Sequence, residues 1–584
     1  MHLVASLHMS TMIGVADLVR AQAAARPDHV ALVVDGAEQL TYGAWQRRSS
    51  AVARGLAGAG ARPGDRVGLF FDNAWWTDYA ISYLAVHKVG AVAVPLSPRF
   101  SPPELVRVLD HAGVTLLVSP PALGGLLPPV PLAHPGDLEA RGSEEDFQAV
   151  VDADDLAEII YTSGTTGGAK GVACSHASIL VHDLPGGRDG AASFLHSFPI
   201  GTNAGQECLR MPLRRLATAV VLPSFDPERL CAAVAERRIR GLQLVPAMAQ
   251  LVVAAGAPGR FDVSSVERVT LSSAPAPPAL WARLAAAFPG ATLFNAYALT
   301  ESGSARTVTR YDPARPGSVG RPVGRSELRV ADDAGIDVPA GETGEVLLRG
   351  PDGRRREYYR DRTATAAAFV DGWLKTGDLG HLDEEGYLHL VDRKKDVIIS
   401  GGLNISSVEV ENALHEHPAV VEAAVFGVTH DVLGEDVAAA VVVRTPTDAR
   451  ELQACVRERL GEHKVPRRVF FVEGLPRNAS GKVIKRELRE RFAPRPAVGT
   501  AASPRSDTEA AVAAAWQDVL GLPDVGVHDD FFELGGHSLA AAQVVARLQD
   551  AFDVELPPTL VFERPTVAEL AATVAEAVAA VRSR

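Results

Sequence analysis

Cysteine is scarce in this chain. Four in 584 residues, Cys174, Cys208, Cys231 and Cys455, lie far apart, and no pair has metal-ligand spacing. A disulfide scaffold is excluded by that count, and a reducing, cytoplasmic compartment is the simplest expectation. Long apolar runs are missing too. The best stretch, Ala80 to Leu96, is interrupted by His87 and Lys88, so no uncharged run reaches the roughly 18–20 residues of a membrane helix. The apolar opening, Met1 to Val19, has no Lys or Arg before it and no evident small-residue cleavage site, which argues against a secretory signal. A basic excess is also absent: the net charge is −13, which disfavours nucleic acid as a partner. No internal repeat and no low-complexity tract stands out.

What is present is ordinary globular composition, 47% apolar and 22% charged, in a chain long enough for several domains with full cores. The charge is uneven. Between Asp507 and Arg584 there are 13 acidic residues against 4 arginines, so most of the net charge sits in a small tail suited to docking on basic surfaces.

The body alternates strand and helix patterns, which predicts α/β layering. Strands are expected at Arg66–Phe71, Ala91–Leu96, Thr115–Ser119 and Glu158–Ser163, and the proline-rich stretch Ser119–Gly136 is expected to be a loop. A smaller α/β pattern follows Val391, with strands near Ala423–Val428 and Ala438–Val443. Residues 493–506 are rich in Pro, Ala and Ser and read as a linker with a reach of roughly 20 Å. Beyond it, three apolar stripes at helical spacing predict a small bundle: Val512, Trp516 and Val519; Ala541, Val544, Val545 and Leu548; Val567, Leu570, Ala571 and Val574. The expected division is 10–391, 392–492, a linker over 493–506 and a helical domain over 507–582.

One segment carries the first chemistry. Tyr161-Thr-Ser-Gly-Thr-Thr-Gly-Gly-Ala-Lys-Gly171 follows an apolar strand. Its glycines permit close backbone approach to an anion, its hydroxyls donate, and Lys170 brings charge. It is not a Walker A loop, since no Gly precedes Lys170 and no Ser or Thr follows it. By itself such a loop can also be a flexible turn.

This segment resembles the phosphate loop of the adenylate-forming superfamily, which includes acyl-CoA synthetases, luciferases and the adenylation domains of nonribosomal peptide synthetases. Ala169 stands where the family usually has Pro. Further motifs follow in family order: Asn295-Ala-Tyr-Ala-Leu-Thr-Glu301, Lys375-Thr-Gly-Asp-Leu379, Asp392-Arg-Lys-Lys-Asp396, Gly401 to Glu411, with Ser407 in place of the usual Pro, and Pro476-Arg-Asn-Ala-Ser-Gly-Lys482. The resemblance covers about Ile13 to Phe492. It implies a large α/β N-terminal adenylation subdomain and a small α+β C-terminal subdomain. It implies ATP and Mg²⁺, with phosphate contacts from Ser163, Gly164, Thr165, Thr166, Gly167 and Lys170. Tyr297 would stack on adenine, Thr300 would contact the α-phosphate, and Glu301 would hold Mg²⁺. Asp378 and Arg393 would bind the ribose, Lys395 would be a hinge, and Lys482 would be the catalytic lysine.

The tail segment Asp529-Asp-Phe-Phe-Glu-Leu-Gly-Gly-His-Ser-Leu539 looks like the phosphopantetheine site of a peptidyl or aryl carrier protein, an all-α four-helix bundle. Ser538 would carry 4′-phosphopantetheine, installed from CoA by a phosphopantetheinyl transferase.

Together the two resemblances imply activation of a carboxylic acid as its adenylate and transfer to the carrier thiol, as a loading step in natural-product biosynthesis. Downstream acyltransferase, condensation or tailoring enzymes would act in trans. Amino-acid-activating relatives place an Asp in the pocket to hold the ammonium; ungapped counting puts Asn203 there. A buried ammonium without a partner is costly, so α-amino acids are disfavoured. Thr202, Ser272, Ser273 and Ala298 replace other pocket residues and should shorten the site, favouring a small or aryl acid. Glu207 leaves an alternative open, an atypical amino acid such as a β-amino acid, unless it is a solvent-facing helix residue. Two other readings are a CoA ligase whose carrier is a docking domain, and a non-catalytic adenylate-binding scaffold.

Overall fold

The computed structural model describes residues 14–35, 39–162, 169–180, 192–351, 356–430, 433–477, 482–493, 503–522, 524–531, 534, 538–557 and 559–582. The chain divides into two compact units. One comprises Met1–Lys395 with Pro476–Ile484; the other comprises Asp396–Leu475 with Lys485–Arg584.

The first unit contains two sheets with parallel centres. In one, Val30–Val34, Ala217–Val221, Ala192–His196, Gly241–Leu244, Arg268–Leu271 and Thr292–Tyr297 run parallel as neighbours. It continues through antiparallel strands that include Ser318–Pro322, Leu388–Arg393, Trp373–Leu382 and Gly344–Arg349. In the other, Leu156–Thr162, Val92–Leu96, Arg66–Phe70 and Val114–Val118 are parallel, while Lys170–Ser175 returns antiparallel to Leu156–Thr162. The four expected strands are therefore present, each displaced by a residue or two at its ends. One apolar core draws on both sheets, with Leu32, Phe194 and Val221 from the first and Val67, Leu69, Ile160 and Val172 from the second.

Helix Trp76–Val89 is buried on nearly every face, as a helix apolar all round must be. Gly90, at φ 77°, ends it in the left-handed conformation that glycine adopts without penalty. The run Ala80–Leu96 is thus the end of this helix plus strand Val92–Leu96. No helix among the described residues is long and apolar enough to cross a membrane. The proline-rich stretch is not all loop: Pro121–Leu126 forms a 3₁₀ turn, and Leu132–Ala133 adds an edge strand beside Val114–Val118. An edge tolerates the flanking prolines because one side needs no donors.

In the second unit, Val420–His430 and Gly434–Val443 form a long antiparallel hairpin, flanked by Ile398–Ser400 and by Arg468–Phe471. Helices Ser407–His415 and Ala449–Leu460 supply Val410, Leu414, Leu452 and Val456 to its core. The tail forms helices Asp507–Leu520, Ser538–Phe552, Leu560–Glu563 and Val567–Arg582 around Val512, Trp516, Phe531, Val544, Leu548, Leu570 and Val574. All four cysteines are buried and free.

Candidate active site

The antiparallel pair Trp373–Leu382 and Leu388–Arg393 sets Asp378 directly opposite Arg393. Arg393 Nε donates to Asp378 Oδ1 at 2.8 Å, and the Tyr297 hydroxyl donates to Asp378 Oδ2 at 2.7 Å. Burial and the Asp378 carboxylate push the Tyr297 phenol well above its ordinary pKa, so it stays a proton donor. The Asp378 backbone N–H donates to Thr376 Oγ1 at 3.1 Å within the same strand. Asn295, the first motif residue, is structural: its side-chain amide donates to the Ser318 carbonyl at 2.9 Å and ties two strands together.

Glu301 Oε1 accepts from the Tyr358 hydroxyl at 3.0 Å, and Lys170 Nζ lies 4.7 Å from the centroid of the Tyr358 ring. Tyr358 is held there by strand pairing, opposite Val172. It therefore links two motif residues that are 131 positions apart in sequence. Lys482 belongs to the segment Pro476–Ile484 of the first unit, closed by pairing between Arg477 and Val483. Its ammonium is held below the ordinary lysine pKa, first by burial and then by the charge of Arg393, against the pull of Asp378 and Glu301. The residue as a whole is nonetheless exposed. Tyr297, Asp378, Arg393, Glu301, Lys170 and Lys482 are thus brought into one site. Ser163, Gly164, Thr165, Thr166 and Gly167 lie outside the described residues.

No three His, Cys, Asp or Glu side chains cluster as a metal site among the described residues. A magnesium ion, which takes one or two carboxylates plus phosphate oxygens and water, fits a lone carboxylate such as Glu301.

Three of the residues expected to line the acyl pocket, Thr202, Asn203 and Glu207, lie at the start of helix Asn203–Arg214. Thr202 is its N-cap: Oγ1 accepts from the Gly205 N–H at 3.1 Å and donates to the Pro199 carbonyl at 2.8 Å, so the hydroxyl is committed to the backbone. Asn203 Oδ1 accepts from Arg356 Nη1 at 3.1 Å, and the same nitrogen donates to the Thr300 carbonyl at 2.6 Å. The Glu207 side chain is 26% exposed and already has charged partners. It pairs with Arg210 at 2.8 Å and Arg214 at 2.9 Å, on its own helix. Arg210 also pairs with Glu158 at 2.8 Å, both side chains fully buried, and Tyr83 bonds both. Ser272 and Ser273 follow strand Arg268–Leu271, half-buried, and Ser273 has φ 74°. Ala298, just past Thr292–Tyr297, is exposed.

Sequence reasoning missed Arg356 and Tyr358. Arg354-Arg355-Arg356 reads as a solvated charge run, and only the pairing of Glu357–Tyr358 with Lys170–Ser175 turns its end inward. Lys395, exposed, is the last residue before the division between the units. Ser538 lies in the first turn of the described part of helix Ser538–Phe552.

An α/β body that gathers the motif residues into one cluster, followed along the chain by a small helical bundle, defines a two-part activating and carrying protein. Three family models match it in order: AMP-binding enzyme over 19–359, AMP-binding enzyme C-terminal domain over 409–482, and phosphopantetheine attachment site over 510–574. The chain belongs to the AMP-binding enzyme family and joins that enzyme to a C-terminal carrier domain. It is 36% identical over 488 residues to feruloyl-CoA synthase of Amycolatopsis sp, covering 80% of this chain and 96% of that one. It is 32% identical over 591 residues to tyrocidine synthase 3 of Brevibacillus parabrevis, covering 96% of this chain but 9% of that much longer protein. Among solved structures, ATP-bound MatB from Rhodopseudomonas palustris superposes with a TM-score of 0.74 at 29% identity, over 82% of this chain and 99% of that one.

Proposed function

We propose that the protein is an AMP-forming acid–thiol ligase that adenylates a small or aryl, non-amino carboxylic acid and transfers it to the phosphopantetheine thiol of its own carrier domain. The observation that carries the non-amino reading is the occupancy of both acceptors available to an ammonium. Asn203 Oδ1 already takes Arg356, and Glu207 already takes Arg210 and Arg214. A substrate ammonium would find cations where it needs an acid, and an unpaired buried charge is costly. Feruloyl-CoA synthase and 2-succinylbenzoate–CoA ligase, relatives by sequence, carry names of non-amino acids.

In the first half-reaction the acid's carboxylate attacks the α-phosphate of ATP and pyrophosphate leaves. The need is positioning and neutralisation of developing charge rather than covalent help. Lys482 and Lys170 supply positive charge. Thr300 contacts the α-phosphate, and Glu301 is the carboxylate for magnesium. Tyr297 offers a face for adenine, and Asp378, braced by Arg393, accepts from the ribose hydroxyls. The Ser163–Gly167 loop is proposed for the phosphates on sequence alone. Lys395 is the proposed pivot between half-reactions. A phosphopantetheine arm on Ser538 supplies the thiol nucleophile, and a tether of about 14 residues raises its effective concentration toward the millimolar range. A phosphopantetheinyl transferase using CoA installs the arm, and later biosynthetic enzymes take the acyl group in trans. The domain limits that accompany this reading are 10–391, 392–492, 493–506 and 507–582.

The CoA-ligase names of several relatives favour a second reading, in which free CoA is the acceptor and the carrier docks partners. The test is the intact mass of the phosphopantetheinylated protein after incubation with ATP, Mg²⁺ and a mixed acid pool. A mass gain lost in Ser538→Ala supports self-loading and gives the acid by its increment. AMP formation without a gain supports CoA or a separate carrier as the acceptor.

A further inference from the structure

Arg356 is an arginine with too few partners. It is 2% exposed, and its bonds use only Nη1, to a neutral amide oxygen and to a backbone carbonyl. Its Nε and Nη2 are buried and take no partner, and it makes no ion pair among the described residues. The nearby buried arginines differ: Arg210 has Glu158 and Glu207, and Arg214 has Glu207. A buried cation is retained only where an anion compensates it, and a guanidinium presents a planar fork matched to a carboxylate. The position of Arg356 is constrained. Arg356 immediately precedes strand Glu357–Tyr358, whose Tyr358 reaches Glu301. A single nitrogen of Arg356 bridges Thr300, on the nucleotide side, and Asn203, on the acyl side.

We propose that Arg356 binds a second carboxylate on the substrate, and that the activated acid is a short dicarboxylic acid. This rests on the adenylating function proposed above. The anion must lie close to the reacting carboxylate, because Arg356 sits where the two sides of the site meet. That favours a three- to five-carbon diacid over a long one. The unpartnered Nε and Nη2 donate to its two oxygens, while Nη1 keeps its bonds to Asn203 and Thr300. One carboxylate reacts and the other is held.

The test is pyrophosphate release by the full-length protein with matched probes: malonate, succinate and glutarate, each against its half-amide, together with benzoate and a hydroxycinnamate. At least one diacid should exceed its half-amide at least tenfold in kcat/KM. Arg356→Gln should bring that ratio to about one while KM for ATP stays within twofold, and Arg356→Lys should restore part of the preference. If benzoate or the half-amides are adenylated as well as the diacids, the inference falls and the adenylating function stands. If Arg356→Gln raises KM for ATP and leaves the acid ratio alone, the guanidinium serves the nucleotide and the inference is overturned. Should no acid release pyrophosphate, the adenylating function fails first and this inference with it. The wild-type comparison decides the matter even if the variants fold poorly.

Discussion

The proposed nucleotide side and the proposed acyl side of the site are built by opposite means. On the nucleotide side, local backbone geometry sets the chemistry: Asp378 and Arg393 face each other across a strand pair, and Tyr297 ends another strand of the same sheet. On the acyl side, charge compensation does it. Glu158, Glu207, Arg210 and Arg214 come from one strand and one helix and satisfy each other in the interior, with Tyr83 from a second helix bonding Glu158 and Arg210. A site made by register keeps the residue types of its family. A site made by mutual neutralisation can change its specificity whenever one charge is left over, as at Arg356.

The sharpest way to break that contrast is Arg210→Met. Removing one partner from a fully buried pair leaves Glu158 uncompensated, which costs about 3–5 kcal/mol. Urea unfolding should show this as a lower midpoint. A loss under about 1 kcal/mol would mean that Tyr83 and solvent satisfy Glu158 without the arginine. The nucleotide-side counterpart is Lys482→Ala. The fold should persist, since Lys482 is exposed on a short segment, while pyrophosphate release falls roughly 10²–10³-fold, the scale of losing one donor aimed at developing charge. Unchanged release would remove Lys482 from the adenylation step.

These two variants also mark what the sequence could tell. Lys482, Asp378, Arg393 and Glu301 could be singled out because the short motifs that hold them resemble those of a known family, and the fold brings these four residues together. The alternation of strand and helix, and the three helical stripes of the tail, were legible from periodicity. The state of Glu207 was not. Its partners are three and seven residues along the helix, yet only burial distinguishes a compensated carboxylate from a free one. Arg356 was hidden more completely, because its meaning depends on strand Glu357–Tyr358 docking on a strand more than 180 residues earlier.

A pH experiment extends the comparison to the scaffold of the acyl side. Lys88 shares helix Trp76–Val89 with Tyr83 and is fully buried. Its ammonium donates to the Gln46 carbonyl, Gln46 Oε1 and Ser50 Oγ, with no carboxylate in contact among the described residues, and burial pushes its pKa down to about 7. Below pH 7 the lysine is charged in both states and the full cost of burying it is present. Between about 7 and 10.5 the unfolded chain binds the extra proton, so this group's contribution to stability rises with pH. Relative to Lys88→Met, the wild type should gain about 3 kcal/mol between pH 7 and pH 9.5. A pH-independent difference would mean that the three oxygen acceptors keep the ammonium charged.

The smallest effect is expected at Ser273. Its φ of 74° lies in the left-handed region, which costs a residue with a Cβ about 1–2 kcal/mol. Glycine would remove that strain, and would lose roughly 0.5–1 kcal/mol of it again through the greater freedom of the unfolded chain. Ser273→Gly should therefore raise stability by no more than about 1.5 kcal/mol, a small upward shift in melting temperature. If the hydroxymethyl group also shortens the acyl pocket, the variant should accept a longer acid better relative to the best short one. A stability gain with an unchanged acid profile would separate the two roles: the backbone would be strained for reasons of the turn alone, and the pocket's length would be set by other residues. A stability loss would mean that the side chain's packing outweighs the strain, and the turn would then belong with the acyl side, where burial and compensation, not register, decide which residue stays.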